Sequence, residues 1–210
     1  MGASFLTHAL TTTLFILLQL TTFMSSSSAA RPTLTSKTST DFIRKSCANS
    51  LYPQLCYTTL VKYTDYIQTS PERLATTALS LALSATESSY GEIKTLIKTQ
   101  KLKPREAAAM ADCVDQISDS VDRLRQSAAE MAQIGGSSFE FHVSNVQTWV
   151  SAALTDDDTC MDGFGGKAMD GEVKAKVRKL VLGVAHLCSN ALALINEYAA
   201  ANNHKATPSA

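Results

Sequence analysis

The chain has no surplus of either charge. Its 19 lysines and arginines are matched by 19 aspartates and glutamates, and charged residues are only 18% of the 210. A phosphate backbone is held by a basic excess, so no nucleic-acid partner is expected. No stretch alternates polar and apolar residues long enough to make a sheet, and no internal repeat is evident. Asn-x-Ser/Thr sequons are missing, so N-glycosylation is not expected. G-x-S-x-G, H-E-x-x-H and phosphate-loop patterns are missing too, and no catalytic residue is assigned. The four histidines, His8, His142, His186 and His204, are scattered. His186 lies near an apolar stripe and reads as a packed residue rather than a base. After the first thirty residues, no apolar run approaches the ~18 residues of a membrane span, so no membrane partner is expected once that segment is removed.

Hydrophobic residues reach 45%, with abundant alanine and threonine, which describes a globular chain of one domain. Met1–Ala30 reads as a secretory signal. Ala9–Phe23 is its apolar region, and Ser28 and Ala30 suit the −3 and −1 positions of a cut after Ala30. Its n-region is weak, with no lysine or arginine; a membrane anchor is the rival reading, but the apolar run is short for one. Arg31–Thr40 reads as a flexible leader.

The organising stretch is Arg105–Met131. Met110, Val114, Ile117, Val121, Leu124, Ala128 and Met131 recur at steps of four and three, a helical seam facing other helices. Asp112, Asp115, Asp119 and Asp122 recur at the same steps opposite it, within roughly 80° of one another at about 100° per residue. Helix surfaces are commonly charged for solubility. Here Arg123 and Arg125 fall to the side, which leaves a one-signed stripe suited to docking a partner.

Around it, Phe42–Ser50 and Gln54–Ile67 form a hairpin over 41–67, broken at Pro53. Ser70-Pro71-Glu72 starts a helix with a cap, a proline and an acid. Its expected face is Leu74, Ala78, Leu81, Ala85 and Ser88, with Gly91 a possible irregularity. Gly135-Gly136-Ser137-Ser138 interrupts, and Phe139–Leu154 resumes with Trp149 expected in the core. Thr155–Gly171, with four glycines and five aspartates, reads as a loop. A last helix over Glu172–Ala201 carries Val173, Val177, Leu180, Val184, Leu187, Ala191, Leu194 and Tyr198, followed by a polar tail, 202–210. The result is an all-α fold, an antiparallel up-down-up-down four-helix bundle over 70–201 with an N-terminal helical hairpin.

All five cysteines follow the signal. An oxidising compartment would pair four and leave one. A hairpin could bring Cys47 and Cys56 together; Cys113 and Cys160 would then tie two bundle helices. Cys188, beside an apolar stripe, reads as a buried free thiol. The spacings match no zinc pattern. Asp156–Gly163 fails the calcium-loop pattern, because Cys160 and Met169 would occupy ligand positions. No metal and no cofactor are expected.

With these residues in view, the chain resembles the plant invertase and pectin methylesterase inhibitor family over about Thr40–Ala200. The likeness rests on Cys47-x8-Cys56, on Cys113 in the acidic helix, and on Trp149-x-Ser-Ala-Ala-Leu-Thr before Thr159-Cys160-x-Asp162-Gly163-Phe164. It implies a hairpin and four-helix bundle, disulfides Cys47–Cys56 and Cys113–Cys160, and a free Cys188. It implies an enzyme inhibitor rather than an enzyme, secreted to the cell wall and bound one-to-one to its target. Invertase inhibitors of the family carry a Pro-Lys-Phe motif. This chain has none, and the matching region reads Gly135-Gly136-Ser137-Ser138-Phe139-Glu140. That departure favours the pectin methylesterase arm, with invertase as the alternative target. In that arm the residues facing the esterase fall on Asp115, Asp119, Asp122, Thr159 and Asp162, with Asn145 or Gln147 as a looser polar contact.

Overall fold

The computed structural model describes residues 34–206; the expected signal Met1–Ala30 and the last four positions, 207–210, lie outside them. The described residues form seven α-helices and no strand: α1 Leu34–Cys47, α2 Pro53–Leu60, α3 Thr64–Ile67, α4 Pro71–Thr99, α5 Pro104–Met131, α6 Phe139–Asp162 and α7 Glu172–Ala206. α4 packs on α5, α5 on α6, α6 on α7 and α7 back on α4, so the four long helices close a ring. Neighbours run antiparallel. On α5 and α6, Cys113 meets Cys160 near one end, while Glu130 meets His142 and Asn145 near the other.

The helix starts follow local chemistry. Ser70 Oγ accepts the Arg73 N–H at 3.3 Å, with Pro71 and Glu72 behind it. Pro104 opens α5, and the Glu106 carboxylate takes the Lys103 N–H at 2.9 Å. Ser138 precedes α6 without capping it; its hydroxyl donates to Gly135 O instead.

α1 begins at Leu34, ahead of the expected start at Asp41, and Ser39 is buried with Ile43 and Cys47 along one face. These spacings of four hide the polar leader's contribution from composition alone. The hairpin is stapled by Cys47–Cys56 and docked on α7. Tyr52 N donates to Asn190 Oδ1, and Asn190 Nδ2 donates back to Tyr52 O, at 3.1 and 3.0 Å. The Tyr52 ring stacks on His186 at 3.8 Å, so that histidine packs.

Four expectations need correction. α6 does not stop at Leu154; it continues through Asp162, so Thr155–Asp162 are helix rather than loop. Trp149 is half-buried, not core. On α4 Leu74 and Ala78 are buried as expected, but beyond them the buried line runs through Leu79, Ala82, Thr86, Ser89 and Ile93; Leu81 and Ala85 are half-buried and Ser88 is exposed. On α7, Val181 and Cys188 are buried where Leu180 and Leu187 are only partly so. Both helices carry small or apolar residues around most of their circumference, so periodicity alone leaves the phase open. α7 is also the one described helix long and apolar enough to cross a membrane by length and composition, although its apolar stripe packs on α4 and α6.

The core is in two parts. One gathers the hairpin with Leu79, Leu124, Val150 and Ile195; the other gathers Ile93, Ile117, Phe164 and Val177. Between them lies a polar waist with a contribution from every bundle helix: Thr86, Ser120, Asp157 and Cys188, each 0% exposed. Thr86 Oγ1 donates to Ala82 O. Ser120 Oγ and both carboxylate oxygens of Asp157 meet no hydrogen-bond partner.

Gly91 sits inside α4 without interrupting it, and a Cβ there would meet nothing within 4 Å. Gly91→Ala should therefore stabilise the protein by about 0.5–1 kcal/mol, because glycine loses more backbone freedom on folding. A higher urea midpoint is the expected reading; a lower one would mean that the methyl group is not tolerated.

Candidate functional site

The five residues singled out as partner contacts all lie on α5 and α6, and all five are exposed. Helical spacing explains why. Asp115, Asp119 and Asp122 turn away from a seam on which Met110, Cys113, Ile117, Val121 and Leu124 are buried. On α6, Thr159 and Asp162 flank buried Cys160. The Cys113–Cys160 disulfide holds the two backbones at a Cα–Cα distance of 4.2 Å. It pins the α5 backbone two residues before Asp115 to the α6 backbone between Thr159 and Asp162. Asp119 and Asp122 continue the row along α5, the three carboxylates spanning about 10 Å of helix at 1.5 Å per residue.

The stripe is less one-signed than expected. Arg125 Nη1 reaches Asp122 Oδ1 at 3.3 Å, while its Nη2 and Nε both donate to Glu87 Oε1 on α4, at 2.7 and 3.1 Å. The Glu87 contact raises the guanidinium pKa further, against a smaller desolvation cost. These groups are exposed, so the pairs contribute little to stability. Arg123 instead reaches Asp156 Oδ2 at 2.7 Å. Burial raises the Asp156 pKa, and the Arg123 hydrogen bond opposes that rise. Among the described residues, Asp115 and Asp119 have no ion-pair partner.

Thr159 Oγ1 donates to Thr155 O at 2.7 Å, which leaves its lone pairs facing outward. Asn145 and Gln147 are committed internally: Asn145 Nδ2 donates to Glu130 Oε1 at 2.7 Å, and Gln147 Nε2 to Asn196 Oδ1 at 2.8 Å. Glu130 Oε1 also meets His142 Nδ1 at 2.8 Å; these bonds, Asn145 first, lower the Glu130 pKa. No cluster of three metal-ligating side chains occurs among the described residues.

Sequence reasoning missed Asp156 and Asp157, which it had placed in a loop. Both are buried on the inner side of the helix that presents Thr159 and Asp162. The available signal was their position four and three residues before Cys160, each about one turn from a residue that had to face α5.

The family model described as plant invertase/pectin methylesterase inhibitor matches residues 41–194. The chain belongs to that family. Among its relatives is a 21 kDa protein of Daucus carota, 47% identical over 166 residues, covering 78% of this chain and 86% of that protein. Pectinesterase inhibitor 11 of Arabidopsis thaliana is 45% identical over 192 residues, covering 89% and 95%. A crystal structure of a mutant form of a pectin methylesterase inhibitor from Arabidopsis shares the fold, with a TM-score of 0.59 at 23% identity, over 71% of this chain and 92% of that one. The inhibitor-family span begins at Asp41, within α1, and ends at Leu194, within α7, so it takes in both disulfides and all five exposed contact candidates.

Proposed function

We propose that this chain is a secreted protein inhibitor of a pectin methylesterase, binding it one-to-one and covering the cleft through which pectin enters. The observation that carries this reading is the exposed row Asp115, Asp119, Asp122, Thr159 and Asp162 on a helix pair locked by Cys113–Cys160. A face held rigid before binding loses little freedom on binding, so its contacts convert efficiently into affinity. The names of its relatives as pectinesterase inhibitors point to the same target. The target lies in the cell wall, which the expected signal Met1–Ala30 suits.

The deciding experiment titrates the purified, oxidised mature protein against plant pectin methylesterases, with an invertase alongside. Dose-dependent loss of pectin de-esterification, with sucrose hydrolysis untouched, is the expected outcome. The reverse pattern would assign the chain to invertase, the other target in the family's description.

Asp119→Ala is expected to weaken inhibition by about tenfold, the cost of one well-placed charged contact. Asp122→Ala should cost less, because Arg125 already engages that carboxylate. Circular dichroism should show both variants folded. Inhibition constants equal to the parent's in both would remove the acidic row from the interface.

A further inference from the structure

The acidic row of α5 has a weak point in its own sequence. Apart from Arg105 at the start of the helix, Arg123 and Arg125 are the only cations α5 carries. Arg123 lies four residues after Asp119, and Arg125 lies three after Asp122. An acid ahead of a base at these spacings is the arrangement that pairs readily on a helix surface. Left to local preference, the two arginines would fold onto Asp119 and Asp122, and only Asp115 would keep its charge for a partner.

The bundle prevents this from both sides. On the α6 side, Arg123 Nε reaches Asp156 Oδ2 at 2.7 Å, and among the described residues no ion pair joins Arg123 to Asp119. Burial does most to raise the Asp156 pKa, and the Asp119 charge adds to the rise, so the two carboxylates are neighbours. On the α4 side, Arg125 gives Glu87 Oε1 two hydrogen bonds, at 2.7 and 3.1 Å, and gives Asp122 one longer contact of 3.3 Å. A hollow of about 430 Å³, lined by Glu87, Tyr90, Ser118, Val121 and Arg125 itself, leaves that side chain room to turn. Neither pair is a large source of stability. The Glu87–Arg125 pair is exposed, and the gain from Arg123 on Asp156 is offset by the cost of burying that carboxylate. What the two acids share is that each draws an arginine off the same row.

We infer that Glu87 and Asp156 are positioning residues for inhibition: by holding Arg125 and Arg123 to the sides, they keep the Asp122 and Asp119 carboxylates available to the partner. The row then meets the partner's N–H donors and cations without first giving up an internal partner, which lowers the cost of binding. Neither Glu87 nor Asp156 has to touch the esterase to act in this way. What the row binds rests on the function proposed above; the diversion of the arginines does not.

The test combines inhibition constants with crystal structures of Glu87→Gln and Asp156→Asn in the mature protein. In Glu87→Gln, Arg125 should turn fully onto Asp122; in Asp156→Asn, Arg123 should turn onto Asp119. Each variant should inhibit the esterase about fivefold more weakly than the parent, with the gap narrowing as salt screens exposed charges. Arg125→Gln should restore inhibition to Glu87→Gln, and alone should inhibit about twofold better than the parent. Loss of a charge also weakens the general field around the row, so a cycle separates the two causes. Glu87→Gln should change inhibition little in an Asp122→Asn background, and Asp156→Asn should change it little in an Asp119→Asn background. Undiminished losses in those backgrounds, or arginines that keep their places in the two crystal structures, would overturn the inference. Circular dichroism checks that the buried substitution leaves the helices intact; should Asp156→Asn fail to fold, the exposed Glu87→Gln decides the matter alone. If the arginines move as described but the parent inhibits no esterase, the diversion stands and the proposed function falls. If the parent inhibits and both variants do so equally well, the proposed function stands and the positioning role falls.

Discussion

Asp157→Asn is expected to flatten the pH dependence of stability and to raise stability above pH 7 by up to about 4 kcal/mol. Asp157 is fully buried in the polar waist, and both its oxygens lack a hydrogen-bond partner. Burial pushes its pKa from 3.8 up to about 7; the neighbouring Ser120 hydroxyl opposes this, and the charges of Asp156 and Asp158 add to it. The unfolded chain gives up that proton near pH 4, while the folded protein keeps it to about pH 7. Between these values the native state binds more protons than the unfolded state, so stability falls as pH rises. Below the window the carboxyl is neutral in both states and no penalty applies. Above it the full penalty applies, about 1.4 kcal/mol for each of roughly three pKa units. The proton also changes the hydrogen bonding: a neutral carboxyl can donate to Ser120, whereas a carboxylate can only accept. Asparagine keeps the shape and removes the titration. Urea midpoints at pH 4.5, 6 and 8, taken for parent and variant, read the effect. Parallel pH profiles for the two proteins would show that Asp157 does not titrate in this window. In the same layer, burial raises the Cys188 thiol pKa and the Asp157 charge adds to it, which makes that cysteine a poor nucleophile.

Removing the second disulfide should have an effect of similar size and opposite sign. Cys113→Ser/Cys160→Ser is expected to lower stability by about 4 kcal/mol, from the entropy an unfolded chain regains when a loop of this length is opened. The sequence separation is 47, against 9 for Cys47–Cys56, whose loss should cost nearer 2.5 kcal/mol on the same reasoning. The functional effect should exceed the change in folded population, because the bond ties the α5 backbone beside Asp115 to the α6 backbone between Thr159 and Asp162. Inhibition should therefore weaken at temperatures where circular dichroism still reports a fully helical protein. A double variant within about 1 kcal/mol of the parent and equally inhibitory would show that α5 and α6 hold their register without the bond.

Much of the architecture is legible in local signals. Ser70-Pro71-Glu72 and Pro104 mark helix starts because caps and proline act within a single turn. The α5 seam stands out because its apolar and acidic residues separate cleanly into two faces: Met110, Ile117, Val121, Leu124 and Met131 are buried, and Asp115, Asp119 and Asp122 are exposed. The exposure of the three α5 candidates was legible for the same reason, whereas Thr159 and Asp162 followed only from the family resemblance. Thr155–Asp162 was not legible as helix, because its aspartates argue against a helix C-terminus, where the dipole favours cations. In the folded protein that cost is offset by Arg123 on Asp156, by the Cys160 bond and by the fully buried Phe164 just beyond.

The order of amino acids alone decides that this chain is helical, where most helices begin, which face of α5 is acidic, and which family the cysteine and Trp-to-Phe spacings resemble. These are short-range matters, settled by residues a turn or two apart. Only the packed bundle decides the phase of α4 and α7, the pairing of Arg123 and Arg125, and the burial of Asp157 between two apolar cores. Each of these depends on which residues of distant segments come into contact, and a buried charge is tolerated or refused by neighbours that no local pattern names.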